Sequence, residues 1–284
     1  MPESGHELMQ KIIETAKALP PMPQVIARAS QVLSDENAGF KEIAEVLESD
    51  QAMATRVLKL ANSAYYGVRV PVNSVQQASA LLGFKTLFEM IVVVSSSKMM
   101  GRQLEGYGID SRQTWKHSLL TAMAARSIAE EKYPELSDDA FMAGLLHDSG
   151  MLILDPHMKK GKKRLETHLE HGRTIEQAET AIFGFDHAQI AAEYLKKWML
   201  PASQTHAIEF HHRPSESEGD VLSCILHAAD AMANQSGPEK NFAMEQSALD
   251  ETGIDEQELA ERAAEIESNV SGLMESLEAE SAGT

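Results

Sequence analysis

Five histidines and two aspartates carry the chemistry this sequence offers: His117, the pair His147-Asp148, His187, the pair His211-His212, and Asp230. Imidazole nitrogens and carboxylate oxygens together suit zinc, iron, manganese or nickel. Taken singly, each residue has an ordinary explanation. Asp148 reads as a helix cap, His117 as a ring hydrogen-bonded in the core, and His211 as a C-terminal histidine favoured by the helix dipole. Taken together, all seven lie at the ends or on the faces of apolar helical runs, in a chain with little other reason to bury them. Two ions about 3.5 to 4 Å apart, with one carboxylate bridging, would use this many ligands. Cys224 is the only cysteine, which rules out an internal disulfide and a cysteine-cluster metal site.

Composition sets the background for that chemistry. The 284 residues, 43% apolar and 24% charged, fit a soluble globular protein long enough to bury a sizeable core. No uninterrupted apolar run approaches the ~20 residues of a membrane span. Residues Met1 to His6 lack the charged-then-apolar layout of a signal peptide, so a cytoplasmic protein is expected. The net charge of -18 argues against a nucleic-acid partner, because phosphate binding needs clustered Lys and Arg. Residues 239–284 hold 13 of the acidic residues against Lys240 and Arg262, so the tail accounts for -11 of that charge and the body is mildly acidic.

The elements that must position the seven residues all read as helices. Residues 1–18 form an exposed amphipathic helix ended by Pro20-Pro21-Met22-Pro23. Helical spacing follows through Val25, Ile26, Ala29 and Val32-Leu33, then, after a cap at Ser34 or Asp35, through Phe40, Ile43, Ala44 and Leu47. Ser49-Asp50 opens a helix with Met53, Val57, Leu60 and Ala61 on one face, and helices at Val75–Leu82 and Lys85–Val94 complete an N-terminal lobe. Residues 39–65 admit a helix-turn-helix as the alternative to a plain bundle, but Lys41, Arg56, Lys59 and Arg69 are scattered and form no basic stripe. Gly101–Ser111 is a polar connection between lobes.

Beyond it, a helix at Ser111–Glu131 carries His117, and one capped by Ser137 runs to His147-Asp148. Lys159–Arg164 reads as a solvated basic turn, Leu165–Ile182 as a helix with His168 and His171 facing solvent, and Asp186 as the cap of a helix that opens with His187. Pro201 starts a helix delivering His211-His212, which Arg213-Pro214 stops. Asp230 sits on an apolar helix, where a carboxylate needs a partner. In the tail Leu259, Ala263, Ile266, Val270, Leu273 and Leu277 form a heptad stripe, able to pack on the body or to pair with a second copy as a homodimer.

The order His, His-Asp, His, His-His, Asp resembles the HD superfamily of metal-dependent phosphohydrolases, especially the HD-GYP proteins that degrade cyclic di-GMP. Further motifs, Leu19–Pro23, Leu60–Gly67, Ser74–Ala78, Leu82-Gly83, Trp115–Ser118, Ala143–Asp148 and His211–Pro214, resemble the HDOD family of bacterial signalling output modules over roughly residues 15–235. By that resemblance His117, His147, Asp148 and Asp230 would hold one metal, and Asp148 with His187, His211 and His212 the other. Two features depart from the hydrolase pattern: Met151 stands where HD-GYP enzymes place a lysine, and the Gly-Tyr-Pro segment is absent. Gln113 replaces a glutamate that some relatives use for a third ion.

The resemblance implies an all-α, two-lobe HDOD fold with an N-terminal helix (1–18), an N-terminal lobe (19–100), an HD-like lobe (101–237) and an acidic helical tail (238–284). It also implies a signal-transduction protein that acts through protein partners, with a divalent transition metal, iron or manganese ahead of zinc or nickel, and a nucleotide as a further ligand. A metal-dependent phosphohydrolase acting on a nucleotide or phosphodiester is the alternative.

Overall fold

The structure, a computed structural model, describes residues 5–15, 25–26, 28–29, 32, 40–48, 50–234, 244–254 and 256–278. The Leu19–Pro23 motif and the Ser34 or Asp35 cap lie outside the described residues. Regular structure among them is helical, apart from one isolated antiparallel bridge between Leu104 and Ile109, so the fold is all-α as expected. The chain forms two compact units, one from Met1–Leu19 with Met100–Ile266 and the other from Pro20–Met99 with Glu267–Thr284.

In the second unit α2 (Phe40–Glu48) buries Ile43, Ala44, Val46 and Leu47, and α3 (Gln51–Ala61) buries Val57, Leu60 and Ala61. Asp50 caps α3 by accepting a hydrogen bond from the Met53 amide at 3.0 Å. Just past α3, the Asn62 side chain clamps the chain ten residues on. Its Oδ1 accepts from Val72 N at 2.7 Å and its Nδ2 donates to Val72 O at 2.8 Å, which explains the asparagine of the Leu60–Gly67 motif. Two helices expected from the sequence appear as one element, α4 (Val75–Met100), broken internally at Gly83, whose φ of 82° only glycine adopts readily. The stretch Val75–Ser97 is long and apolar enough by length and composition to cross a membrane, with mean hydropathy 1.6, and half of its most apolar window is buried within the protein.

The first unit is built around α5 (Ser111–Lys132), which packs against α6 (Ser137–Leu146) and α11 (Val221–Asn234). Around this core lie α7 (Ser149–Glu170), α8 (Ile175–Phe183), α9 (His187–Leu195), α10 (Ala202–Phe210) and α12 (Gln246–Thr252). The N-terminal helix α1 (Gly5–Thr15) belongs to this unit too. Expected to be exposed, it covers its apolar face, Met9, Ile12 and Ile13, by packing on α7 and α9. In the last helix, α13 (Glu256–Glu278), Ile266, Val270 and Leu273 of the heptad stripe are buried within the chain itself.

Three local readings are corrected. Ser137 is the first residue of α6 and not its cap, its hydroxyl donating to Pro134 O at 2.9 Å. The basic run Lys159–Arg164 is a stretch of α7, not a turn, because Met158 and Leu165 are buried and carry the helix through Gly161. Leu165–Ile182 is not one helix: the chain breaks at Gly172, φ 79°, and restarts at Thr174, which caps α8 reciprocally with Gln177.

Gly144 sets the approach of α6 to α5. A methyl group there would lie 2.8 Å from Ala122 Cα and 2.9 Å from Ala122 N, both backbone atoms. Gly144→Ala must therefore push the two helices apart, and a loss of about 1–3 kcal/mol in unfolding free energy is expected from denaturant titration. Unchanged stability would show that the helices do not depend on this contact.

Candidate metal centre

Helix ends and helix faces of the first unit bring all seven residues to one place. Asp110 and Gln113 form a reciprocal capping box that starts α5 and aligns it two turns before His117. Gln113 thus serves as a cap. His147 and Asp148 occupy the corner between α6 and α7. Asp148 stands at the N-cap position of α7 yet makes no capping hydrogen bond, so the ordinary explanation for it fails and its carboxylate faces inward. Asp186 and Gln189 cap α9 in the same reciprocal way and set His187 as its first residue. His211-His212 end α10. The Arg213 guanidinium then donates to Asp186 Oδ2 at 2.6 Å, tying the paired histidines to the cap of α9. Asp230 projects from the middle of α11 and is 1% exposed.

Gly150 allows the α7–α9 approach that completes the cluster. A methyl group there would lie 2.0 Å from His187 O, so only glycine fits.

His117 Nε2 lies 3.2 Å from His147 Nε2, 3.4 Å from Asp148 Oδ2 and 3.0 Å from Asp230 Oδ1; His147 Nε2 lies 3.2 and 3.6 Å from the same two oxygens. Donors about 2.0–2.2 Å from one tetrahedral ion stand about 3.3–3.6 Å from each other, and these separations lie in or slightly below that range. The other oxygen of Asp148, Oδ1, is 3.2 Å from His187 Nε2, which is in turn 2.8 Å from His212 Nε2. Donor atoms of Asp148, His187, His211 and His212 all fall within 4.8 Å of one another, as do those of His117, His147 and Asp148 and those of His147, His211 and Asp230. These buried clusters can coordinate a divalent metal, and Asp148 belongs to two of them, with one oxygen turned to each side.

The outer hydrogen bonds fix how the rings present themselves. Nδ1 of His147 donates to Gly144 O at 2.8 Å, Nδ1 of His211 to Ile208 O at 2.7 Å, and Nδ1 of His187 to Glu179 Oε2 at 2.7 Å. With a proton held on Nδ1, each Nε2 faces inward, where it can take a proton or a metal ion. Nε2 of His211 is buried without a hydrogen-bond partner among the described residues, the orphan expected of a nitrogen that serves a ligand. Asp230 Oδ1 also accepts from Asn234 Nδ2 at 3.0 Å, which fixes the rotation of its carboxylate.

Burial lowers His147, but Asp148 and then Asp230 carry it up to about 10. Burial likewise opposes and Glu179 with Asp148 overcomes it at His187, which is raised well above the histidine range. Burial, reinforced by the positive charge of His147, pushes His211 down to about 3, and burial with His211 beside it lowers His212 well below its ordinary value. Burial would raise Asp148, yet His147 and His187 hold it well below the usual carboxylate range. In the metal-free cluster the carboxylates of Asp148, Asp230 and Glu179 thus favour the protonated forms of His147 and His187.

Sequence reasoning found the seven inward donors and missed those behind them. Glu179 is fully buried and holds His187 through both its backbone N and its Nδ1, each at 2.7 Å. Its signal was present: Glu179 follows Ile175 by four and precedes Ile182 by three, a carboxylate on the apolar face of α8, the same signal that singled out Asp230.

An all-helical unit with this buried His/Asp cluster is related to the HD-superfamily proteins. The chain belongs to the HDOD family, whose domain model matches residues 19–214. Asp230 lies beyond that match. Among solved structures, the chain is similar to a putative phosphohydrolase from Shewanella amazonensis, with 25% identity, TM-score 0.75, and coverage of 95% of this chain and 97% of that one. It is also similar to an HDOD domain protein of unknown function from Geobacter sulfurreducens, with 22% identity, TM-score 0.72, and coverage of 95% and 96%. An uncharacterized protein of Treponema pallidum is 24% identical over 208 residues, which are 72% of this chain and 40% of that protein.

A metal ion must displace the protons that His147 and His187 hold in the metal-free cluster. Affinity for divalent metal, followed by calorimetry, should therefore fall as pH falls, about tenfold per pH unit for each proton displaced. With His147 at about 10, that slope should run across the whole neutral range, and binding should release protons to the buffer. An affinity independent of pH would contradict this charge balance.

Proposed function

We propose that this chain is a cytoplasmic HDOD signalling protein whose HD-like lobe holds two divalent transition-metal ions and acts on protein partners. The observation that carries the reading is the division of Asp148, with Oδ2 turned to His117 and His147 and Oδ1 turned to His187. One ion would take His117, His147, Asp148 and Asp230; the other would take Asp148, His187, His211 and His212. Iron and manganese suit this all-nitrogen-and-oxygen set, and zinc and nickel also accept it. Bound there, the ions would supply Lewis acidity and, for iron or manganese, a change of oxidation state.

What the chain's own residues do favours regulation over turnover. Met151, one turn into α7, is buried and apolar where the hydrolase pattern has a lysine, so no cation from this position meets a phosphate. The Asp148 side chain is 13% exposed while those of His117, His147, His187 and Asp230 are more deeply buried, so a small ligand such as a nucleotide would approach from the Asp148 side. An ion state that repacks these helices would be read by a partner protein docked on the lobe.

The alternative is a phosphohydrolase, supported by the likeness to the Shewanella protein described as one. Both readings share the metal centre and part at turnover.

Elemental analysis of protein purified without oxygen in metal-supplemented medium should find about two ions per chain. Asp148→Ala should lose both, because both share that carboxylate, and His212→Ala should lose one. Less than one ion per wild-type chain would overturn the reading. Turnover of any nucleotide or cyclic dinucleotide that is absent in Asp148→Ala would favour the hydrolase.

A further inference from the structure

Glu179 reaches the cluster from one side and the connection between α4 and α5 from the other. Its Oε2 accepts from His187 Nδ1, and its Oε1 accepts from the Tyr107 hydroxyl. Tyr107 belongs to the segment 101–110, which leads from α4 into α5. Its ring packs on Met158, Leu165 and Ala178, so the hydroxyl is aimed by a buried apolar cluster.

The segment is shaped for this contact. Leu104 N donates to Ile109 O at 2.9 Å, and Tyr107 N and Gly108 N both donate to Leu104 O, at 3.2 and 2.8 Å, closing a tight loop. Gly106 N donates to Asp155 Oδ1 at 2.7 Å. A methyl group on Gly106 would lie 2.6 Å from Lys159 N, so the loop backbone is pressed directly onto α7. Glu105 pairs with Lys159 across the same contact. Through Tyr107 the loop has a polar link to the interior of the unit, and that link ends on a nitrogen of the metal cluster.

A divalent ion on His187 Nε2 would pin the ring between the metal and Glu179 more rigidly than the proton it replaces, and so fix the Nδ1 that donates to Glu179. Glu179 then holds its place more firmly, and so does the hydroxyl that bonds its other oxygen. We propose that Glu179 and Tyr107 relay the occupancy of the His187 metal position to the 101–110 segment, so that a bound ion orders the connection into α4. This rests on the two-ion reading and names the route by which the ion state leaves the site. Neither residue contacts the ion; both are positioning residues.

The test is hydrogen exchange of the full chain with and without manganese(II), with manganese content measured on the same samples. Manganese should slow exchange of the Leu104, Tyr107, Gly108 and Ile109 amides roughly tenfold in the wild type. Tyr107→Phe keeps the ring on its apolar cluster and should bind the same amount of manganese while losing that protection. Glu179→Gln should also lose it and weaken manganese binding about tenfold or more, which gives a second reading if the tyrosine variant fails to fold. Protection that persists in Tyr107→Phe or in Glu179→Gln, or a wild type that binds manganese with no change in the segment, overturns the relay and leaves the metal centre standing. A wild type that binds no manganese overturns the metal centre, and the relay with it.

Discussion

The first unit depends on how it can keep two carboxylates and five imidazoles out of water in one small volume. Asp148 and Asp230 carry negative charge that burial penalises by several kcal/mol each unless cations face them. In the metal-free cluster the cations are the protons on His147 and His187; with ions bound, they are the metals. Four contacts around the cluster set up this balance. Gly144 lets α6 close on α5, so that His147 meets His117, and Gly150 lets α7 close on α9, so that Asp148 meets His187. Arg213 ties the end of α10 to the cap of α9 through Asp186, and Asn234 orients Asp230. Asn234 bonds a cluster oxygen directly, and the others act through the helices that carry the donors.

The seven inward donors were legible because each occupies a place that helical patterning makes conspicuous. His147 and Asp148 end an apolar run, His187 follows a capping aspartate, and Asp230 interrupts an apolar face. Their convergence followed from the resemblance, not from spacing, since they come from five helices separated by loops of different lengths. Glu179 had the signature of Asp230 and was passed over because α8 is short and carries other charges. Tyr107 left no trace in periodicity, because its role depends on how a loop folds back on α7 and α8.

The misread elements have a common cause. Lys159–Arg164 looks like a turn by composition, but two buried residues, Met158 and Leu165, outweigh the exposed lysines between them in deciding local structure. The same holds for α1, whose polar residues suggested exposure while three apolar ones found α7 and α9. Tertiary burial decides these cases, and a single sequence gives it only through periodicity.

The central claim is that Asp148 is shared between two ions. Anomalous diffraction from crystals of anaerobically purified, metal-loaded protein, collected at the absorption edge of the bound element, tests it most directly. The account predicts two peaks about 3.5–4 Å apart with the Asp148 carboxylate between them. A single peak, or two peaks of which one lies away from Asp148, would contradict it.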